Sequence, residues 1–376
     1  GTGNTWTQPI GGSNTAYDSY STSYTMGNDG VTEVLSNGNT VYLARYFATN
    51  TNMVTLYDTS GAVLSQAAVP VASVDGSEET ADVAPMANGE FAIFYKTGFT
   101  VFTADGVMKS DPVSYVTDTA AANMSQVNAI QLPDGKFAVT WVDTSAKTMM
   151  YKVINADGST SVNDTQLGNT FTSLSATDSA ADIVKLTNNP DFGYAIVFRG
   201  YNQAGIQMLD ANGAIYGPLM QYPDISGASN TSITGLDMKT VALSDGGFAT
   251  LTYINSKLQL DIFNASGNRT ASVSPGDFSS TNPSTGFFDA DVTVLADGKI
   301  AVAYSGWLHN SIESFNRAYG DVKIYDTSGN VVATADETMS SGVATNYENS
   351  VSIFALADGG FGLIYRKRVN NTSQSD

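Results

Sequence analysis

The stretch ALADGGFGLIYR (355–366) places a polar turn, Asp358-Gly359-Gly360, between two apolar segments and closes the second with arginine. Asp-Gly or Asn-Gly between apolar runs is the strongest short signal for a β-hairpin, because the two turn positions favour positive φ. The stretch recurs. VLSNGNTVYLAR (34–45), PMANGEFAIFYK (85–96), QLPDGKFAVTWV (131–142), KLTNNPDFGYAIVFR (185–199), ALSDGGFATLTY (242–253) and VLADGKIAVAYS (294–305) follow the same grammar. Six of the seven copies set Leu or Met three residues before the turn glycine, and the fourth carries an insertion after Leu186. The turn glycines, Gly38, Gly89, Gly135, Gly193, Gly246, Gly298 and Gly359, lie 46 to 61 residues apart.

A second motif follows every copy but the last: LYDTSGAVL (56–64), VFTADGVMK (101–109), VINADGSTS (153–161), MLDANGAIY (208–216), IFNASGNRT (262–270) and IYDTSGNVV (324–332). Here an Asx-type side chain caps the turn and glycine takes the left-handed position. Each repeat is therefore two hairpins, strands A to D. Four short antiparallel strands at this period predict an all-β protein, a seven-bladed β-propeller in one domain spanning 1–376. The expected blade hairpins lie near 31–66, 82–111, 127–162, 182–217, 238–272, 291–334 and 351–376. Strand B, as in FAIFY (91–95), is apolar throughout, as a strand covered on both faces must be. The seventh repeat lacks the second motif, and GNTWTQ (3–8) resembles the outer-strand start GNVVAT (329–334). The N-terminal segment 3–12 is accordingly expected to close the ring as an outer strand of the last blade.

Composition bounds the function. The chain has 376 residues, 17 Lys+Arg against 36 Asp+Glu, and no cysteine. Such an acidic surface repels phosphate backbones and anionic lipid, so nucleic acid is not an expected partner. No apolar run reaches the length needed to span a bilayer, so membrane insertion is not expected. Without cysteine, and with His309 as the single histidine, thiolate chemistry and His-rich zinc sites are excluded. The N-terminus GTGNTWTQPIGG shows no signal-peptide apolar region and begins as a piece of a larger chain would. No Walker loop, G-x-S-x-G elbow or H-E-x-x-H motif is present.

The segment from Val116 to Ser159, and the hairpin motifs of all seven repeats with it, resembles repeats of the form Q…V-A-L-DGGFVV-W…Q-F-A-DG. Those stand in tandem in very large, adhesin-like, secreted bacterial surface proteins that often also carry calcium-binding nonapeptide repeats. The resemblance implies an extracellular or cell-surface location within a larger multidomain chain, and no catalytic residues. This chain has no GGxGxD nonapeptide, so calcium binding does not carry over with the resemblance.

Candidate binding residues come from position. In this strand order the A–B and C–D turns share one face, and the longer B–C and D–A connections form the other, the loop face, where variation is tolerated. Seven residues past the turn glycine, at the loop-face end of strand B, stand Arg45, Lys96 and Arg366, with Arg199 equivalent in the fourth repeat. Random placement of the chain's cations would put fewer than one there. The preceding position is aromatic in five repeats, including Trp141. Two readings stay open. Each cation pairs with a carboxylate such as Asp82, Asp182 or Asp291, four residues before the strand-A leucine or methionine, and so locks adjacent blades. Alternatively, cations and aromatics together hold an anionic or sugar ligand. The longest B–C connection, SGWLHNSIESFNRAYGD (305–321), is expected to be a loop carrying Trp307, His309, Arg317 and Tyr319; it either binds ligand or folds over its own blade. No cofactor is expected. The acidic D–A segments, with Asp82, Asp182, Asp289 and Asp291, are the candidate oxygen ligands for Ca²⁺, set against plain solvated acidity.

The expected function is a non-catalytic recognition or adhesion module that binds a glycan or a cell-surface protein through the loop face. A polysaccharide lyase or glycoside hydrolase with its site on the same face, and a structural spacer domain, are the alternatives.

Overall fold

The computed structural model describes residues 31–46, 51–69, 82–170, 180–200, 203–222, 238–254, 257–277, 285–310, 315–337 and 351–365. The first blade contains β1 (Val31–Val34), β2 (Thr40–Tyr46), β3 (Thr51–Tyr57) and β4 (Val63–Ala68). The second contains β5 (Asp82–Pro85), β6 (Phe91–Tyr95), β7 (Gly98–Phe102) and β8 (Val113–Ser114), followed by one helical turn, α1 (Asp118–Ala121). The third contains β9 (Met124–Gln131), β10 (Phe137–Asp143), β11 (Thr148–Ile154) and β12 (Thr160–Leu167); the fourth, β13 (Ala180–Lys185), β14 (Tyr194–Gly200), β15 (Gln203–Leu209) and β16 (Met220–Gln221). The fifth contains β17 (Lys239–Ala242), β18 (Phe248–Ile254), β19 (Lys257–Phe263) and β20 (Arg269–Asp277); the sixth, β21 (Thr285–Val294), β22 (Ile300–Asn310), β23 (Phe315–Tyr325) and β24 (Val331–Glu337). Each is a four-stranded antiparallel sheet in chain order, and β25 (Val351–Ala355) and β26 (Phe361–Tyr365) form a two-stranded sheet.

The fold is thus an all-β propeller with four antiparallel strands per blade, but it has six such blades where the repeats predict seven. The seventh repeat has no second hairpin motif and supplies only β25 and β26. The expected closing segment, 3–12, and residues 366–376 lie outside the described residues.

Strand B carries apolar residues on both faces, so each blade seals against both neighbours. Phe91–Tyr95 is buried along its whole length. The core is accordingly split into clusters that each span two adjacent sheets, for example Val41, Leu43 and Leu56 with Val83, Ile93 and Phe102. Tyr42 and Tyr57 of the first blade pack with Phe354 and Ile364 of the last hairpin. That contact brings β25 against both β21 and β1.

The A–B turns are of more than one kind: in the second blade Asn88 (φ +61°) and Gly89 (φ +76°) are both positive, as the sequence rule expects, whereas the first blade differs. Gly38 N–H donates to the Leu35 carbonyl and Leu35 N–H to the Asn39 carbonyl. Gly38 takes φ +84° while Asn37 does not enter the positive region. This is a type I turn followed by a left-handed glycine, not a turn with two positive-φ residues. In the fourth blade the insertion moves the positive φ from Gly193 to Asn188 (+56°). The C–D turns follow the sequence rule: Asp58 Oδ1 accepts from the N–H groups of Ser60 and Ala62 at 2.8 and 2.9 Å, and Asp326 does the same for Ser328 and Asn330.

These C–D glycines also abut the preceding blade. A Cβ on Gly158 would run into the Ser114 backbone oxygen of β8, and one on Gly329 would reach Val273 of β20. Gly61, in the first blade, has no such neighbour within 4 Å among the described residues. Both Gly61 and Gly158 have positive φ, so alanine costs ~1–2 kcal/mol of left-handed strain at either. Gly158→Ala adds the displacement of a strand, and urea denaturation is expected to show it at least twice as costly as Gly61→Ala. Equal losses would refute this packing of turn on neighbouring blade.

Candidate functional site

The inner strand of each blade has a bare edge, because strand A pairs only with strand B. In the second, third, fourth and sixth blades the side chain four residues before the strand-A leucine or methionine reaches across to the next blade. Asp82 Oδ2 accepts from Ala129 N–H at 2.8 Å, Asp182 Oδ2 from Thr240 N–H at 2.5 Å, and Asp291 Oδ2 from Ile353 N–H at 3.0 Å. Asn128 works in the opposite sense, its Nδ2 donating to the Ala181 carbonyl at 2.9 Å. Asp289 adds a second link in the sixth blade, accepting from Val351 N–H at 2.9 Å. A second polar position, in strand C, reaches back to the preceding blade: Lys152 Nζ donates to the Tyr115 carbonyl, Lys323 Nζ to the Pro275 carbonyl, and Asp261 Oδ2 accepts from Tyr222 O–H.

These inner-strand groups surround a central cavity of about 310 Å³. Glu33, Asp82, Asn128, Asp182, Lys239 and Asp291 line it, one from each of the first six blades, together with Gln126. Four carboxylates thus face one ammonium. Burial, followed by the Asp82 and Asp182 charges, raises the Glu33 carboxyl well above its ordinary range, with Lys239 opposing. Burial pushes Asp182 up to about 8, against the pull of Lys239 and of the Thr240 and Ile183 N–H groups. Asp291 is raised by burial, again with Lys239 opposing. Among the described residues no group of three or more acidic or histidine side chains has a geometry that would hold a metal ion.

The residues singled out from sequence fall in several places. Asp82, Asp182, Asp289 and Asp291 serve the inter-blade links just described, through backbone N–H groups of the next blade. Trp141 is buried in the cluster between the second and third blades, with Lys152 Nζ 5.5 Å from its ring centre. Arg199 is buried, and its Nη1 donates to the Tyr253 carbonyl of the fifth blade at 2.9 Å. Lys96 is half-buried at the β6–β7 turn. Arg45 lies in β2, opposite Asn52 in the register, and Arg366 lies outside the described residues. The expected long loop of the sixth blade is instead mostly strand. β22 runs to Asn310 and β23 begins at Phe315, each 11 residues long. Trp307 pairs with Ala318 and His309 with Asn316, whereas Arg317 pairs with Leu308 and Tyr319 with Gly306. The ladder therefore brings these four into one pair of strands, with Trp307 and His309 on one parity and Arg317 and Tyr319 on the other.

Sequence reasoning missed Glu33, Gln126 and Lys239. For Lys239 a signal exists: it stands four residues before Leu243, the position that holds Asp82, Asn128, Asp182 and Asp291 in other repeats. Glu33 lies two residues nearer the turn and has no counterpart in the other repeats.

No family model matches the chain, and no curated protein matches it. Solved structures do. A protein from Lactobacillus plantarum aligns with TM-score 0.45 and 12% identity over 82% of this chain and 87% of its own. A puromycin hydrolase aligns with TM-score 0.48 and 12% identity over 95% and 60%. Prolyl oligopeptidase B from Galerina marginata aligns with TM-score 0.43 and 13% identity over 91% and 47%. Likeness at this level assigns neither a family nor an activity.

The raised carboxyls fix a pH dependence. A group whose folded pKa lies above its unfolded value adds stability that is complete below the unfolded pKa and is lost as pH rises through the folded one. For Asp182 that window runs from near 4 to about 8. The turn aspartates Asp58 and Asp326 are lowered, chiefly by side-chain hydrogen bonds from Ser60 and Asn330, and act only below it. The unfolding midpoint is therefore expected to fall between pH 5 and pH 8.5. A rising midpoint over that interval, read by urea titration at fixed ionic strength, would contradict the assignment.

Proposed function

We propose that the chain is a non-catalytic extracellular recognition module, part of a larger surface protein, that holds a glycan at its loop face. One observation carries this reading: the sixth blade outgrows the rest. In the first five blades strand B ends within one residue of the Ser305-equivalent position, whereas β22 runs on to Asn310, paired with β21 as far as Leu308 and with β23 throughout. An extension held by its own ladder places Trp307, His309, Arg317 and Tyr319 in paired strands at small cost in ordering entropy. Rigid scaffold with a single elaborated connection is the usual arrangement of a binding surface. The aspartates of the central ring are engaged with backbone N–H groups, which suits a structural rather than a catalytic role.

A hydrolase or lyase reading has one observation in its favour: Asp182, at about 8, is in the range of a general acid at neutral pH. The two readings separate on the polysaccharide itself. Incubation with candidate polysaccharides is expected to leave chain length unchanged while retaining the protein on immobilised glycan. The double variant Trp307→Ala/Arg317→Ala is expected to lose at least tenfold in that retention. Shortened chains would establish the enzyme. Retention on no glycan would overturn the reading, leaving a protein partner or a spacer.

We further propose a seventh blade, completed when segment 3–12 pairs alongside the β25–β26 hairpin. Its support is Gly61, which among the described residues meets no counterpart of the preceding-blade outer strands that Gly158 and Gly329 meet. Deleting residues 1–12 is expected to lower the melting temperature by several degrees. An unchanged value would exclude this segment as the closing strand.

A further inference from the structure

We propose, resting on the glycan reading above, that the ligand is a neutral pyranose chain and that it lies on one face of the sixth sheet, the face bearing Trp307. That adds a ligand class and a surface to the reading.

Register separates the two faces of the extension. Partners across an antiparallel ladder share a face, and so do alternate positions along a strand. One face therefore carries a row made of Gly286, Trp307 and Ala318 and, beyond it, the pair His309 and Asn316. Arg317 and Tyr319 fall on the other face, in register with Leu308 and Gly306. The two faces continue different blade interfaces. Ala301 and Ala303, of the same parity as Trp307, pack with Val351 and Ile353 of the last hairpin. Ile300, Val302 and Tyr304, of the other parity, pack with the fifth blade.

The Trp307 face breaks its own pattern. Along β22 it is small at Ala301, Ala303 and Ser305, and a tryptophan follows. The last hairpin reaches the level of Ser305 and stops there. Asp289, the partner of Ser305, accepts from Val351 N–H at 2.9 Å, β25 begins at Val351, and Tyr365 at the end of β26 pairs with it. Trp307 stands one row past that level, where neither strand of the hairpin extends, so packing against the hairpin does not call for an indole. In its own row it has Gly286 on one side and Ala318 on the other. Neighbouring strands lie about 4.8 Å apart, so the row is about 10 Å across and holds one ring and no second bulky group.

That composition selects the ligand. An indole has a flat apolar face to set against the C–H face of a pyranose, and the sugar keeps its hydroxyls at the ring edge for polar partners. His309 and Asn316 supply such partners one row on, about 7 Å along the strands. None of the residues in these two rows is Asp, Glu, Lys or Arg, so this face has no fixed charge with which to hold a carboxylate or a sulfate. Arg317, the cation of the extension, belongs to the opposite face. An anionic polysaccharide also meets the repulsion of a chain of net charge −19, which a neutral one does not.

The test sets the full chain on immobilised neutral glycans (glucans, mannans and galactans) and acidic ones (alginate and polygalacturonate). Retention is expected on a neutral glycan and on neither acidic one. It is expected to change less than twofold between low salt and 0.5 M sodium chloride, since no ion pair is there to be screened. Trp307→Ala is expected to weaken retention at least tenfold, and Trp307→Phe less than threefold. Ala318→Ile keeps the indole, sets a strand-favouring branched side chain beside it, and is expected to cost at least fivefold. Arg317→Ala and Tyr319→Ala, on the other face, are expected to change retention less than twofold. Bound glycan is expected to shift the tryptophan fluorescence, and the shift to vanish in Trp307→Phe, since Trp141 is buried between blades. Circular dichroism establishes that each variant is folded; should Trp307→Ala fail to fold, Ala318→Ile and the fluorescence decide. Retention confined to acidic glycans, or lost with Arg317 rather than with Trp307, would overturn the neutral-ligand assignment and leave the loop-face reading standing. Neutral-glycan retention indifferent to Trp307→Ala and Ala318→Ile would overturn it as well. Retention on no glycan would overturn both.

Discussion

An edge strand turned toward the axis of a ring has nowhere to send its backbone N–H groups, and everything else in this molecule accommodates that constraint. No ladder joins the inner strands of neighbouring blades among the described residues. In four blades a single position answers with its side chain. Asp82, Asp182 and Asp291 accept the N–H of a residue on the next inner strand, and Asn128 donates to a carbonyl instead. A short carboxylate suits the task, because it accepts in any orientation and its stem is too short to fold back on its own strand. The strand-C position supplies the complementary link toward the preceding blade, with Lys152, Asp261 and Lys323 reaching groups on the neighbour. Among the described residues such links run forward from the second, third, fourth and sixth blades and backward from the third, fifth and sixth, so the third and sixth are tied in both directions by groups that only a ring arrangement brings into range.

The apolar packing has the same two-sided logic. A four-stranded sheet with one apolar face would make a sandwich. A sheet whose central strand is apolar on both faces must be covered twice, and wedges round an axis do so without an end. The clusters of the core span pairs of blades rather than filling any one of them. A ring assembled this way cannot lose one wedge without exposing two faces. That is why Tyr42 and Tyr57 still pack on Phe354 and Ile364, although the last hairpin has only two strands.

How much of this was legible depended on whether the signal was local. Turn glycines, Asx caps and the uninterrupted apolar strand B are short-range features, set by φ preference and period, and their repetition identified strand order and ring. The turn subtype is not fixed by Asp-Gly or Asn-Gly, because type I plus a left-handed glycine, as at Gly38, and a turn with two positive-φ residues, as at Asn88-Gly89, share the same signature. The blade count exceeded the number of complete sheets because a hairpin motif reports two strands, not four. Site residues fared differently. Trp141 and Arg199 occupy a position that repeats along the chain, and repetition in a propeller reports the interface between blades at least as strongly as it reports a ligand. Both are buried there. Residues that break the repeat carried more information. Lys239 replaces an Asp or Asn, Glu33 has no counterpart, and β22 and β23 outrun their equivalents. A departure from the repeat is a change that the ring itself does not require.

That distinction bears on the acids at the axis. Were every blade to use aspartate, like charges would crowd one cavity. At an effective dielectric near 20, two charges about 8 Å apart repel by about 2 kcal/mol, and the pairs multiply faster than the blades. The chain avoids this by changing the chemistry of the link. Asn128 keeps the hydrogen bond and removes the charge. Lys239 reverses the charge, and it opposes the rise in pKa at Glu33, Asp182 and Asp291 alike. Glu33 runs against that economy, since it adds a negative charge to the cavity without making an inter-blade link among the described residues. Structural need accounts for the aspartates, the asparagine and the lysine, but not for Glu33.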